Sequence, residues 1–269
     1  MWIAPLLLLC LPAVAVAQNT YFVPDDYPTI QGGIDACVAG DTVIVRPGIY
    51  TEWNIRFKGK RIIVRSEMGP TLTFVLGAGN QIFNFDSGEN GRSILAGFTI
   101  QDGYTSGDGA GIRCDNSSPR IVDCVLMDNT SGGAGGGMYC NNSSPILDNC
   151  SFMTNTAANR GGGMYCDNNS SPILDNCSFT TNAATYDGGG MNCEYSSSPT
   201  LKDCSFSDNT ATYDGGGMYC LSSSSPTLDN CSFNTNTASD GGGRVCRCLS
   251  PTVDNRIVTG RKSGWWGKG

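Results

Sequence analysis

The segment GGGMYCNNSSPILDNCSFMTNTA occupies residues 135–157, and close variants of it follow at 161–184, 188–211 and 215–238. A degenerate copy precedes this block and a decayed copy follows it. The period is 26 or 27 residues, as read from the first cysteine of each copy: Cys140, Cys166, Cys193 and Cys220. Self-similarity at such a period predicts a solenoid or a repeat array.

Side-chain alternation inside each copy separates an inner face from an outer face. In GGMYC, the methionine and the cysteine two residues later share the inner face, and the residue between them points outward: Tyr139, Tyr165, Asn192 and Tyr219. After each Ser-Pro the second residue is apolar, and the second cysteine and the residue two later point inward again. One coil therefore contributes Met, Cys, Leu, Cys and Phe to a core through three short strands.

Asparagine and aspartate recur at two further positions, which are predicted corners of the coil because Asn tolerates left-handed backbone geometry. The first column is Asp123, Asn149, Asn176, Asp203 and Asn230, and the second is Asn129, Asn155, Asn182, Asn209 and Asn236. Repeated once per coil, such side chains can hydrogen-bond along the stack as a ladder.

The chain has fourteen cysteines, and most of them fall into two columns with one member of each column per coil. In-register neighbours would lie about 4.8 Å apart, which exceeds the usual disulfide Cβ separation of about 3.8 Å. The spacing therefore predicts buried thiols that behave as small hydrophobes. Cys246-x-Cys248 is a metal-binding pattern without a second pair.

The N-terminal part predicts an export signal and a cap. Residues 1–17 read as a signal peptide, with an uncleaved anchor as the alternative. Residues 18–40 predict a strand and a capping helix from Thr29 to Ala39, with Ile30, Ile34, Cys37 and Val38 on its apolar side and Gly40 ending it. A cap is expected because the first coil of a solenoid exposes an open core and unpaired strand edges.

Residues 41–113 predict irregular coils and residues 114–258 regular ones. The irregular part contains short β-branched or aromatic segments bounded by turn residues, and its longest predicted strand is Ser93–Ile100. Residues 259–269 form an atypical basic, Trp-containing tail, for which truncation of the native chain and a tail that docks elsewhere are both open. The period and the missing helices exclude ankyrin repeats and a propeller. The predicted fold class is all-β, a single-domain right-handed parallel β-helix.

Three segments carry a family resemblance: VPDDYPTIQGGIDACVAGDTVIVRPGIYTE at 23–52, GFTI at 97–100 and the GGGMYC…SSPILDNCSF repeats. They resemble exported bacterial right-handed parallel β-helix repeat proteins of the pectin-lyase-like superfamily, from Tyr21 to about Val253. The resemblance implies the fold more than a function, because the superfamily holds polysaccharide lyases, hydrolases, esterases and epimerases beside exported proteins of unassigned role.

Composition excludes several classes of function. The net charge is −7 and the repeats carry few Lys or Arg, so a nucleic-acid footprint is absent. The chain has no histidine, which rules out a Ser-His-Asp triad and imidazole metal ligation. No apolar segment after residue 17 is long enough to span a membrane, and the expected location is secreted or cell-surface.

Candidate site residues are few. Asp187, Asp214 and Asp240 form an outward column that is a weak candidate for Ca²⁺ or glycan contact, and a solvated acidic surface is the simpler reading. Pectate-lyase relatives use a lone Arg or Lys as base with Ca²⁺ held by aspartates. Up to Cys231 the regular repeats contain three basic residues, Arg120, Arg160 and Lys202, and none is expected to have a one-off acidic cluster beside it.

Two functions remain open. The favoured one is a non-catalytic exported solenoid for binding, adhesion or structure, with a polysaccharide or cell-surface glycan as partner and no cofactor except an optional Ca²⁺. The alternative is a polysaccharide-active enzyme with its site on residues 46–113, where the one-off charges are Glu52, Arg56, Lys58, Asp86, Glu89 and Asp102. Fold alone does not decide between them.

Overall fold

The computed structural model describes residues 18–246 and 253–254, which form a parallel β-solenoid of nine turns. The predicted all-β solenoid is therefore confirmed. The predictions for the signal peptide at 1–17, Cys248 and the tail at 259–269 lie outside the described residues.

A short helix, Ile30–Ala36, covers the N-terminal end of the core. Thr29 is its N-cap, and both isoleucines of the helix are buried, as predicted. The predicted C-terminal end at Ala39 was wrong, because the chain is already extended at Cys37 and Val38 is 50% exposed. No helix in the described part of the chain is long and apolar enough to cross a bilayer.

The strands form four parallel sheets that the chain visits in a fixed order. Sheet 1 contains Thr20–Val23, Thr42–Val45, Ile63–Ser66, Ile94–Ala96, Arg120–Val122, Ile146–Asp148, Ile173–Asp175, Thr200–Lys202, Thr227–Asp229 and Val253–Asp254. Sheet 2 contains Gly48–Thr51, Thr73–Leu76, Thr99–Gln101, Val125–Met127, Ser151–Met153, Ser178–Thr180, Ser205–Ser207 and Ser232–Asn234. Sheet 3 contains Tyr104–Thr105, Thr130–Ser131, Thr156–Ala157, Ala183–Ala184 and Thr210–Ala211. Sheet 4 contains Ile55–Arg56, Phe83–Phe85, Ile112–Asp115, Met138–Asn141, Met164–Asp167, Met191–Cys193, Met218–Cys220 and Arg244–Cys246.

Two strand predictions were wrong. The segment Ser93–Ile100 forms two strands, because Gly97 turns the chain between them with φ +77°. Three strands per coil were predicted, but sheet 3 adds a fourth in the coils from Tyr104 to Ala211. Its strands are two residues long, which is too short to leave a hydrophobic period in the sequence.

Parallel in-register pairing places each repeat position directly over its counterpart in the next coil. Phe179 pairs with Phe152 on one side and Phe206 on the other, and both ring centroid distances are 4.6 Å. The predicted inward methionines, cysteines, leucines and phenylalanines of the repeats are at most 2% exposed. The core assignment is therefore confirmed.

Both predicted asparagine columns are hydrogen-bonded ladders. In the corner ladder (Asp123, Asn149, Asn176, Asp203, Asn230) every member has φ between +49° and +53°, and the Asn176 Nδ2 donates to Asn149 Oδ1 at 3.0 Å. The buried ladder (Asn129, Asn155, Asn182, Asn209, Asn236) runs inside the coils. There the Asn155 Nδ2 donates to Asn182 Oδ1 at 2.9 Å and to Leu126 O at 2.9 Å.

The cysteine columns are buried and aligned, as predicted. Free thiols occupy Cys114, Cys140, Cys166 and Cys193 in sheet 4 and Cys124, Cys150, Cys177, Cys204 and Cys231 between sheets 1 and 2. Burial raises the pKa of Cys124 to about 12. Burial, together with hydrogen bonding along the column, raises the pKa of Cys140 and Cys166 well above the ordinary thiol value.

These pKa values predict a loss of stability at alkaline pH. A thiol of the unfolded chain ionises near pH 8.5, while Cys124 stays protonated in the folded state until about pH 12. Between these two pH values the folded state binds more protons than the unfolded state. The thiol's contribution to the free energy of unfolding is therefore complete below pH 8.5 and is lost as the pH rises towards 12. Each such thiol contributes about 1.4 kcal/mol per pH unit. Urea titrations between pH 8 and 11 measure this slope.

The control for this prediction is Cys124→Ala, which removes one thiol and should flatten the slope by about 1.4 kcal/mol per pH unit. An unfolding free energy that stays constant between pH 8.5 and 10.5 would contradict the prediction.

Candidate functional site

The outer side of sheet 4, which we call the sheet 4 surface, carries side chains that change from coil to coil. One continuous column runs along it from coil to coil, because the strands pair in register: Arg56, Asn84, Arg113, Tyr139, Tyr165, Asn192 and Tyr219. A parallel column two residues later contains Asp115, Asn141, Asp167 and Glu194. Both columns of the sheet 4 surface therefore change in residue type from coil to coil.

The tyrosines of this column point outward as predicted, yet they are buried. Tyr139 and Tyr165 are each 7% exposed and their rings stack at 5.7 Å. The first glycine of each triplet passes beside the column with φ near +60°, and a Cβ on Gly161 would lie 2.9 Å from the Tyr165 Cβ. The glycine turn therefore packs against the tyrosine column because it has no side chain.

The hydroxyl of each of these two tyrosines donates a hydrogen bond to a carboxylate in the following coil. The Tyr139 hydroxyl lies 3.2 Å from Asp167 Oδ2, and the Tyr165 hydroxyl lies 3.1 Å from Glu194 Oε2. The Arg113 guanidinium lies 5.4 Å from the Tyr139 ring centroid. The coils are therefore joined on the outside by polar contacts as well as on the inside by packing.

Arg160 is the centre of a charged network on this surface. Its Nε lies 3.0 Å from Asp187 Oδ2 and its Nη1 lies 3.3 Å from Glu194 Oε1. The Glu194 side chain is only 2% exposed and also accepts the Asn192 Nδ2 at 3.3 Å. The prediction that Arg160 has no one-off acidic cluster beside it was wrong.

Sequence reasoning missed this network because its members are not at the same repeat position. Glu194 lies 34 residues after Arg160, so comparison of aligned copies does not pair them. The only available signal was that Glu194, Asn192 and Arg160 each depart from the residue usual at their position.

The contacts of this network shift the pKa values of its ionisable side chains. Burial alone would lower the pKa of Arg160, but the charges of Glu194 and Asp187 outweigh it and raise the pKa. Burial, followed by the charges of Glu194 and Asp167, raises the pKa of the Tyr165 phenol. Burial also raises the pKa of Asp167, although the Tyr139 hydroxyl opposes this. Glu194 and Asp187 therefore hold the Arg160 guanidinium in its charged form.

The predicted aspartate column lies at the edge of this network. Asp187 is 8% exposed and paired with Arg160, so it is not the solvated acid that the simpler reading expected. Its Oδ1 accepts the Asp214 backbone N–H at 3.3 Å, and Asp214 forms a parallel bridge with Asp240. Within the residues described, no group of three or more carboxylates or thiols is placed to hold a metal ion.

Two exposed tyrosines stand beside this column, and we call them the tyrosine pair. Tyr186 is 43% exposed and Tyr213 is 53% exposed. Their rings stack with a centroid distance of 5.6 Å and an interplanar angle of 18°. The pair therefore presents apolar ring surface to solvent next to buried charges.

The one-off charges of residues 46–113 serve the fold. Glu52 accepts the backbone N–H of Ile30 at 2.7 Å and of Gln31 at 3.2 Å, and so caps the helix. Glu89 is 3% exposed and accepts the Gly59 N–H at 2.8 Å.

The remaining charges of that region also have structural partners. Arg56 pairs with Asp86, and Lys58 lies 2.7 Å from Asp35 of the helix. Asp102 occupies a corner with φ +57°. These contacts connect neighbouring coils and the cap.

Comparison with known proteins adds one match. The family model described as right handed beta helix region matches residues 110–266, more than half of the 269-residue chain. No curated protein and no solved structure matches the chain. The parallel four-sheet coil and the family match agree, and the chain belongs to the right-handed β-helix family.

Proposed function

We propose that this chain is a non-catalytic binding solenoid that acts outside the cell and binds polysaccharide on its sheet 4 surface. The observation that carries the proposal is the tyrosine pair, Tyr186 and Tyr213, exposed beside Arg160 and its carboxylates. Aromatic rings offer large, rigid contact area at low entropic cost, and neighbouring polar groups fix the orientation of a ligand.

The tyrosine pair is accessible because its neighbours are smaller. The same repeat position holds Asn159 in the preceding coil and Ser239 in the following coil. The outer ring surfaces of the pair are therefore not covered by a further aromatic side chain. A pyranose ring can stack its C–H side on such a surface while its hydroxyls contact the polar groups nearby.

The protonation and burial of the charged groups support binding over catalysis. Glycoside hydrolysis needs one carboxylic acid and one carboxylate that both reach the scissile bond. The Glu194 side chain is 2% exposed and is held by Arg160, and Asp187 is held by the same guanidinium. A substrate would have to break this network before it could reach either carboxyl group.

The alternative function is a polysaccharide-active enzyme with a site on residues 46–113. The helix-capping role of Glu52 and the burial of Glu89 give these carboxylates structural tasks. No contact described for that region favours the enzyme, so the binding function is preferred.

Replacing both tyrosines by alanine is expected to weaken polysaccharide binding by at least about tenfold, because truncated aromatic anchors commonly cost more than 1 kcal/mol. Affinity electrophoresis in gels that contain β-glucan, xylan, galactan or polygalacturonan measures the retardation. Reducing-sugar and unsaturated-product assays on the same polymers test for turnover.

The matched control is Tyr104→Ala, since Tyr104 is 49% exposed but lies on sheet 3. It should leave retardation unchanged. Equal retardation of wild-type and doubly substituted protein in every gel would reject the proposal, and turnover by the wild-type protein would favour the enzyme.

A further inference from the structure

We infer that the sheet 4 surface binds a neutral polysaccharide and rejects chains of uronic acids. This inference rests on the proposed function and specifies its ligand class.

The charge around the tyrosine pair is negative. Five carboxylates belong to this part of the surface and its edge: Asp167, Asp187, Glu194, Asp214 and Asp240. Between residues 158 and 240 the basic residues are Arg160 and Lys202. Lys202 belongs to sheet 1, where it lies 3.6 Å from Asp203. Arg160 is already shared by Asp187 and Glu194.

Burial keeps this charge from being fully screened. Asp187 is 8% and Glu194 is 1% exposed, and charges that are partly removed from water are screened much less by salt than exposed ones. The charges of Glu194 and Asp167 contribute to the raised pKa of Tyr165, which shows that the field acts across coils. A carboxylate on a bound sugar would be repelled by the same groups.

The hydrogen-bond groups of the network point to the same ligand class. Carboxylate oxygens accept but do not donate. The donors nearest to them are already used, since the Tyr165 hydroxyl and the Asn192 amide both donate to Glu194. Asp167 Oδ1 and Asn192 Oδ1 are buried acceptors without a donor. Since the Tyr165 hydroxyl and the Asn192 amide already donate to Glu194, neither is available to a sugar carboxylate.

The test uses polymer pairs that differ only at C6. Polygalacturonan is compared with the neutral galactan made by reducing its own C6 carboxyl groups, and a soluble β-glucan with the same glucan oxidised at C6, all with EDTA so that no divalent cation bridges two carboxylates. We expect the neutral member of at least one pair to be bound about tenfold or more tighter than its acidic partner. Methyl-esterification of polygalacturonan, which removes its charge, should bring its binding close to that of galactan.

A charge variant separates electrostatics from shape. Asp214→Asn combined with Asp240→Asn should strengthen binding of the acidic polymers about threefold at low salt. Asp175→Asn combined with Asp229→Asn makes the same charge change on sheet 1 and should not. Tighter binding of an acidic polymer than of its neutral partner would overturn this inference and leave the proposed function standing. Absence of binding to all of these polymers would overturn both.

Discussion

Asn182→Ala is expected to lower the free energy of unfolding by about 4 kcal/mol, more than any surface change in this protein. Asn182 is fully buried in the middle of the buried ladder. Its Nδ2 donates to Phe152 O at 2.9 Å and to Asn209 Oδ1 at 2.9 Å. Its Oδ1 accepts two N–H groups of Asn155, at 2.9 and 3.0 Å.

The cost is large because alanine leaves partners behind. Two donors of Asn155 and two acceptors, Phe152 O and Asn209 Oδ1, would lose a partner inside the coil. A buried polar group without its partner costs about 1–3 kcal/mol. Guanidinium titration followed by circular dichroism at 218 nm measures the change.

The control is Asn176→Ala in the same coil. Asn176 is exposed, belongs to the corner ladder and donates to Asn149 Oδ1 at 3.0 Å. Water replaces that contact, and the remaining penalty is the left-handed backbone at φ +51°, about 1 kcal/mol. Similar losses for the two variants would show that burial does not distinguish the ladders.

The two ladders also show what can be predicted from sequence alone. Their residues recur once per coil, so stacking and side-chain bonding along the axis follow from the period. Burial of one ladder and exposure of the other do not follow, because the same residue type fills both. Asn182 lies directly before the sheet 3 strand Ala183–Ala184 and is fully buried. Strands of two residues leave no period in the sequence, so this part of the coil could not be predicted.

The contacts of the candidate site were harder to predict than the fold, because they join residues at different repeat positions. A repeat position predicts contacts between equivalent residues, such as Tyr139 with Tyr165. The Arg160–Glu194 contact joins different positions of neighbouring coils, and it requires knowing how the glycine turn folds back beside sheet 4. The exposed pair Tyr186 and Tyr213 lies in that turn, outside the phrase that defines the repeat.

The glycine triplets are the second element on which the coils depend. The middle glycine of the third copy, Gly189, has no room for a side chain. A Cβ there would lie 2.4 Å from Thr210 O and 2.6 Å from Gly216 O, both backbone atoms of the next coil. Backbone carbonyls that are held in sheet hydrogen bonds cannot move away independently, so the coils would have to separate.

Gly189→Ala is therefore expected to cost about 3 kcal/mol or more, at the upper end of what overpacking costs in a well-packed interior. The matched control is Gly91→Ala, because nothing lies within 4 Å of the position that its Cβ would take. Alanine at position 91 lowers the conformational entropy of the unfolded chain relative to glycine. Gly91→Ala should therefore leave stability unchanged or raise it slightly. Guanidinium midpoints of the two variants are compared with that of the wild-type protein. Equal midpoints for Gly189→Ala and Gly91→Ala would mean that neighbouring coils can part by several tenths of an ångström without loss, and that the glycine triplets are not required for close stacking.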